Sequence, residues 1–372
     1  MKIVCDRKQL LAALGQVGGV VPARSPKPIL TNVRLTAAPF DQAELEATDT
    51  EVGIRLAVPG IRVESPGQTL LPHARLSQIL SASGDAELTI ESAGDGLTVR
   101  GPLSKFKLPS EDPALYPEVP GFDGDAYHAV AAPDLRKAIR RTMFATDPES
   151  TRYALGGVLF ELSGKALVAV ATCGRRLARQ EVPAEAEGGA ETPEGKPVLP
   201  LKALKLIDRN LADDDPPAHV RILGLQGAVV RAGRATIHTR LVEGRFPRYQ
   251  DVFPAAPEVR VALNGGALLR AVGQAAILTS DESRGVDFRF DGQTLTLTTN
   301  AADVGAATIT LPAPHEGRAV EITFDVRYLA DALKTLDDDA ELAAELIDGR
   351  TSAILKTTDG YAYVVMPLTR DS

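Results

Sequence analysis

The sequence predicts an α+β protein of three similar domains in tandem, each with two helices packed on β-sheets. Three observations carry this reading. An amphipathic segment stands near the start of each third of the 372 residues, with apolar side chains at helical spacing. Each third also holds a strand that runs to a threonine, at Thr48, Thr172 and Thr299. These lie 124 and 127 positions apart, against 124 for one third of the chain. Finally, two alternating runs joined by a tight glycine turn close each third, which is the pattern of a β-hairpin.

In the first third, residues 6–21 place Leu10, Leu14 and Val17 on one helical face. The segment EATDTEVG turns at Thr48, a second helix is expected over 70–83, and 87–100 form a hairpin turning at Gly94-Asp95-Gly96. In the second, 131–146 carry Leu135, Ala138 and Ile139, the strand 167–171 turns at Thr172, a helix spans 199–211, and 219–231 turn at Gly224 to Gly227. In the third, 263–280 carry Leu268, Val272 and Ala275, TLTTNAAD surrounds Thr299, a helix spans 324–336, and 341–355 turn at Asp348-Gly349. Arg75, Lys202 and Arg327 recur early in the second helices. Connectors rich in Pro, Gly and Asp at 117–125 and 254–258 set the expected domains at 1–122, 123–256 and 257–372. The Gly/Glu-rich 185–196 is expected to be a mobile loop.

Hydrophobic residues make up 44% of the chain and charged ones 24%, the balance of a soluble globular protein. With no Trp, the core rests on aliphatic residues and Phe. The N-terminal apolar run is broken by Asp6, Arg7 and Lys8, and no apolar stretch approaches the roughly 18 residues of a membrane span, so neither a secretory signal nor a membrane anchor is expected. Cys5 and Cys173 form no framework and no ligand spacing, which fits a reducing, cytoplasmic setting. The net charge is −8, yet the six helical windows hold thirteen Lys and Arg against five Asp, a net of +8, leaving −16 for the rest. Basic helices gathered on one side of a sheet layer would neutralise phosphates without reading bases; taken singly, each is an ordinary solvated face.

No Walker A, GxGxxG or HExxH motif is present, and His73, His128, His219, His238 and His315 are scattered. No catalytic residue, metal or cofactor is expected. Cys173, beside Arg175 and Arg176, has the alternative reading of a nucleophile; a small turn residue is the simpler one.

Two stretches of the central third and one near the C-terminus carry a resemblance. LVAVATCGRRLAR (167–179) reads as a strand entering a Thr-Cys-Gly turn, where Gly174 takes positive φ without steric cost, and a second strand leaving through Arg175, Arg176 and Leu177. LVEGRFPRYQDVFP (241–254) begins as a strand, turns at Glu243-Gly244 and is stiffened by Pro247. With VVMPL (364–368), these resemble the signatures of the bacterial DNA polymerase III beta subunits, the sliding clamps, and the resemblance covers essentially the whole chain. It implies the DNA clamp fold: two chains joined head to tail in a homodimeric ring, helices lining the hole, duplex DNA threaded through it.

The resemblance implies a peptide-binding pocket between the second and third domains, with Leu155, Thr172, Gly174, Arg175, Arg176, Leu177, Pro247, Val252, Ser283, Tyr328, Val364, Val365, Met366, Pro367 and Leu368 at the matching positions. An apolar cleft with a soft Met suits several short peptides. Cys173 stands where the family usually has Asp, Arg175 where it often has His, and Ser283 where a bulky residue is common. Asp371 and Ser372 extend past the usual end. Arg24, Tyr153, Lys202 and Arg209 match DNA contacts. Phe106 and Leu108, against Ile277 and Leu278, match the ring interface, which a twofold axis would repeat. The implied function is a non-catalytic processivity factor. Its implied partners are duplex DNA held without sequence preference, the polymerase III alpha subunit and other polymerases, a clamp loader, repair proteins with clamp-binding motifs, and a second copy of the chain. The rival is a repeat scaffold or peptide-binding module that uses the cleft but not DNA.

Overall fold

The computed structural model describes residues 1–94, 96–150, 153–192, 195–253, 256–280, 284–301 and 304–368. Among the described residues, six α-helices fall where two per third are expected: α1 Arg7–Val17, α2 His73–Ala82, α3 Ala132–Arg140, α4 Leu201–Asn210, α5 Gly265–Ala276 and α6 Val326–Leu333. Their buried faces include Leu10, Leu14 and Val17, then Leu135, Ala138 and Ile139, then Leu268, Val272 and Ala275. Each fully buried Leu, Ile or Val of these faces contributes roughly 1.5–3 kcal/mol.

All six helices are shorter than their sequence windows. At the start of the second helix of each third, the first residues belong to a strand: Gly67–Pro72, Val198–Pro200 and Val320–Asp325 run directly into α2, α4 and α6. Apolar spacing alone does not separate a buried strand end from the helix it feeds. Local chemistry marks the true starts. Pro72 and Pro200 stand at the N-caps of α2 and α4. Asp6, Asn264 and Asp325 cap α1, α5 and α6, their side-chain oxygens accepting from the backbone N–H of Gln9, Ala267 and Arg327.

The chain gathers into two compact units. Unit 1 comprises Met1–Pro133, Ser163–Lys165 and Ala184–Leu241; unit 2 comprises Asp134–Leu162, Ala166–Pro183 and the chain from Val242 onward. Unit 1 holds an antiparallel sheet in the order Ile61–Ser65, Lys2–Asp6, Glu87–Ala93, Gly96–Arg100, Lys105–Pro109. Its second sheet runs Glu185–Glu187, Tyr127–Val130, Ala218–Ile222, Ala228–Ala232, Ala235–Thr239, Val52–Ala57, Gln42–Thr48, Asn32–Ala38, Gly67–Pro72. The first and middle thirds meet inside it, in the register Ala235↔Leu56 to Thr239↔Val52.

In unit 2, seven strands run Gly157–Leu162, Ala166–Thr172, Arg176–Pro183, Tyr361–Val365, Ala353–Lys356, Glu341–Leu346, Val259–Asn264. Here the middle and last thirds meet, in the register Arg176↔Val365 to Gln180↔Tyr361. A four-stranded sheet, Gly305–Pro312, Thr294–Ala301, Gly285–Phe290, Val320–Asp325, completes the unit.

Two of the three threonine turns share one geometry. Thr48 Oγ1 donates to the Val52 carbonyl (2.9 Å) and accepts from Thr50 N–H (2.9 Å). Thr172 Oγ1 donates to the Arg176 carbonyl (2.7 Å) and accepts from Gly174 N–H (3.1 Å). The residue two places on has φ 81° at Thr50 and 83° at Gly174. The third case departs from expectation: Thr299 lies within the strand Thr294–Ala301, its hydroxyl committed to the Leu278 carbonyl (3.2 Å). The 185–196 stretch also departs, because Glu185–Glu187 pairs with Tyr127–Ala129 before Gly188 and Gly189 turn at positive φ. Nor does a strand open the 241–254 stretch. The preceding strand ends at Thr239, and Gly244 (φ 112°) and Pro247, which lacks an N–H, lead instead to the 3₁₀ turn Tyr249–Val252.

Candidate peptide-binding site

The Thr172–Arg176 turn forms one wall of an apolar cleft in unit 2. Gly174 holds the left-handed conformation the turn needs, with nothing within 4 Å of where a Cβ would stand. The Arg175 carbonyl accepts from Met366 N–H (2.9 Å), which fixes the turn to the chain leaving the strand Tyr361–Val365. The opposite wall comes from the 241–254 stretch. There Tyr249 is pinned by its hydroxyl, which donates to Glu161 Oε2 (2.6 Å). Burial, then the Glu161 carboxylate, push this phenol up to about 12.

The cleft measures about 260 Å³. Of the residues expected there, Leu155, Thr172, Gly174, Arg175, Arg176, Leu177, Pro247, Val252, Val364 and Met366 line it. Val252 and Met366 are 41% and 51% exposed, so flexible apolar surface stands open to a ligand. Wider depressions exist, such as one of about 490 Å³ around Asp41, Glu44 and Arg234 in unit 1. They lack this convergence of apolar walls and a buried cation.

Other expected residues stand elsewhere. Tyr328 lies behind the wall, its ring 4.7 Å from the Arg176 guanidinium carbon. Val365 alternates away from Val364 and Met366 and is fully buried. Leu368 is tied by its N–H to the Thr323 carbonyl (2.8 Å), and neither it nor Pro367 lines the cleft. Ser283, Asp371 and Ser372 lie outside the described residues. Tyr249 is a lining residue that sequence reading missed; its nearness to Pro247 was the available signal.

Family models match the chain in three consecutive stretches. They describe the DNA polymerase III beta subunit N-terminal domain (1–120), central domain (129–248) and C-terminal domain (250–369). The chain is similar to the beta sliding clamp of Escherichia coli K12, with 30% identity over 99% of this chain and 100% of that protein. The chain belongs to the DNA polymerase III beta subunit family.

As a sliding clamp, it is an accessory, non-catalytic subunit of a DNA polymerase, and the three tandem α+β domains follow the clamp pattern. A Pseudomonas aeruginosa clamp solved with griselimycin bound superposes with TM-score 0.90 at 29% identity, covering all of both chains. The Bacillus subtilis clamp, at TM-score 0.91 and 22% identity over 100% of this chain and 99% of that one, shares the fold. No helix among the described residues is long and apolar enough to cross a membrane.

The clamp's helices hold eleven Lys and Arg against three Asp, so the basic excess read from the wider windows persists. Some of these charges are committed internally. Arg7 donates to the Leu80 and Asp85 carbonyls at the end of α2. Arg141, just beyond α3 and outside that count, is likewise committed: it is 6% exposed and grips Asp359. Of the residues matched to DNA contacts, Lys202 pairs with Asp49 and reaches the Val20 carbonyl (3.4 Å). Arg209 reaches the Gly15 carbonyl (3.3 Å). Both therefore meet the segment that leads into the loop carrying the exposed Arg24. Tyr153, the fourth, is 39% exposed and lines the apolar cleft.

Phe106 (39% exposed) and the half-buried Leu108 sit on Lys105–Pro109, an edge strand of unit 1. Ile277 (73% exposed) follows the last turn of α5 in unit 2, with Leu278 half-buried beside it.

Proposed function

We propose that two copies of this clamp close head to tail into a ring whose helices line the hole, with duplex DNA encircled and held without sequence preference. The observation that carries this is the basic excess on the helices of an otherwise acidic chain, eleven cations against three anions where the whole carries −8. Such a lining neutralises phosphates and releases counterions without reading bases. Topology then holds the DNA, and tight contacts would only slow sliding. Arg24, Lys202 and Arg209 are the cations proposed nearest the duplex, with Tyr153 shared between this role and the cleft. The ring closes through Phe106 and Leu108 of one protomer against Ile277 and Leu278 of its partner, and the domains are bounded at 1–122, 123–256 and 257–372.

The cleft takes short peptide segments of the polymerase III alpha subunit, other polymerases, the clamp loader and repair proteins in the cytoplasm. Its apolar walls and the exposed Met366 support that reading, as does the griselimycin-bound relative. Protein loaded by a clamp loader onto nicked circular DNA is expected to stay bound during gel filtration and to run off once the circle is cut. Equal retention on both forms would overturn the ring.

A further inference from the structure

We infer that Arg175 is a specificity-determining residue of the peptide cleft: its guanidinium selects segments in which an Asp or Glu side chain flanks the apolar anchors. The inference rests on the peptide-pocket reading above.

The cleft carries an imbalance of charge. Among the described residues that line it, Arg175 and Arg176 are cations and none is an anion. The two arginines differ in their surroundings. The Arg176 side chain is 11% exposed and already paired. Its Nη1 donates to Asp331 Oδ2 at 2.6 Å and its Nη2 to the Phe144 carbonyl at 2.7 Å. The guanidinium carbon lies over the rings of Phe144 (5.3 Å) and Tyr328 (4.7 Å). Arg175, by contrast, is exposed. No hydrogen bond or ion pair engages its side chain among the described residues. The Thr172–Arg176 turn brings no acid of its own. The 241–254 stretch opposite brings Glu243, Arg245, Arg248 and Asp251, which sum to zero, and none of them lines the cleft. With Arg176 offset by Asp331, one positive charge is left over, and it belongs to Arg175.

The root of that charge is fixed. The Arg175 carbonyl accepts from Met366 N–H (2.9 Å), and Cys173 N–H donates to the Arg176 carbonyl (3.2 Å) across the turn. A guanidinium stays charged at every working pH and meets a carboxylate through two parallel N–H donors. In open water such a pair adds little. A peptide seated between the apolar walls displaces water beside Arg175, and the attraction grows as the local dielectric falls. The apolar anchors supply the bulk of the affinity, so the charge acts as a preference among peptides that share those anchors.

The test is calorimetric titration of the full-length protein with two unlabelled peptides that share Leu and Phe anchors. One is flanked by Asp on both sides, the other by Asn. Both are acetylated and amidated, so side-chain carboxylates are the sole anions and a free C-terminus plays no part. The Asp peptide is expected to bind the unmodified protein about fivefold more tightly at low salt, and the preference to shrink toward equality at about 1 M salt. In Arg175→Gln the preference is expected to fall to about onefold, and in Arg175→Lys, which keeps the charge, most of it should remain. Equal affinity for the two peptides in the unmodified protein overturns the inference. A preference that survives Arg175→Gln overturns it too, because the selecting charge then lies on another residue, and so does its complete loss in Arg175→Lys, because charge is then not what selects. Failure of the unmodified protein to bind either peptide overturns the peptide-pocket reading and this inference with it.

Discussion

Arg141 is the most deeply committed cation of unit 2. Its Nη1 donates to both oxygens of Asp359 (2.9 and 2.7 Å) and to Gln180 Oε1 (3.1 Å), and its guanidinium lies over the Tyr361 ring. Burial pushes the Asp359 carboxyl up, but hydrogen bonds from Thr357 and Arg141 and the charges of Arg141 and Lys137 outweigh it and hold the group below the usual carboxylate range. A carboxyl whose pKa is depressed by folding contributes stability that is complete above its unfolded value, about 4 for Asp, and is lost as pH falls through the folded value. Asp359→Asn is therefore expected to cost about 1–2 kcal/mol at pH 7, discounted for the partial exposure of Asp359. Urea titrations from pH 7 downward should show the two proteins converging only below about pH 4. A gap that persists undiminished at low pH would remove the ion pair as its cause. None of this was legible in the sequence, where Arg141 counted as one more helical base. The partner lies 218 positions away, and no local pattern announces it. Thr172 and Pro247, by contrast, were legible through the compact motifs 167–179 and 241–254 that carry the family resemblance, and Leu155 through that resemblance alone.

At the scale of elements, the repeated threonine turn makes a paired comparison possible. Gly174 and Thr50 occupy the same position, at φ 83° and 81°. Glycine adopts that conformation freely, whereas a β-branched residue there is an outlier that stores strain. Gly174→Ala is expected to destabilise the protein by about 1 kcal/mol, and Thr50→Gly to leave stability unchanged or raise it by up to about 1 kcal/mol. Denaturant midpoints read both, and a stabilising Gly174→Ala would contradict the account. The helices were legible in their buried faces, since Leu10, Leu14 and Val17 repeat at helical spacing whatever their surroundings. Their starts were not, because the strand ends Leu70–Leu71 and Val198–Leu199 present the same apolar residues that a helix would. Thr299 misled for a related reason: the residue type recurs, but its hydroxyl bonds the Leu278 carbonyl instead of closing a turn.

At the scale of the molecule, the threefold period was legible because three independent registers agree on one spacing. The division into two compact units was not, because it follows from sheets that cross between thirds. The ring makes its own demand on the surface. Ile277→Asp with Leu278→Asp places two carboxylates where the proposed closure buries apolar side chains, a cost of several kcal/mol for the pair. Light scattering should then report monomers, and a persistent dimer would move the interface elsewhere. The same sheets also bear on how the protein is made. Arg176 pairs with Val365, 189 positions later in the chain. At translation rates of about 5–20 residues per second, the strand Arg176–Pro183 waits roughly 10–40 s after it leaves the ribosome before its neighbour is synthesised. Throughout that interval one long flank of the central sheet stands unpaired and open to other nascent chains. The cleft is thus among the last features to form, so the docking site proposed for polymerases is absent from a half-made chain.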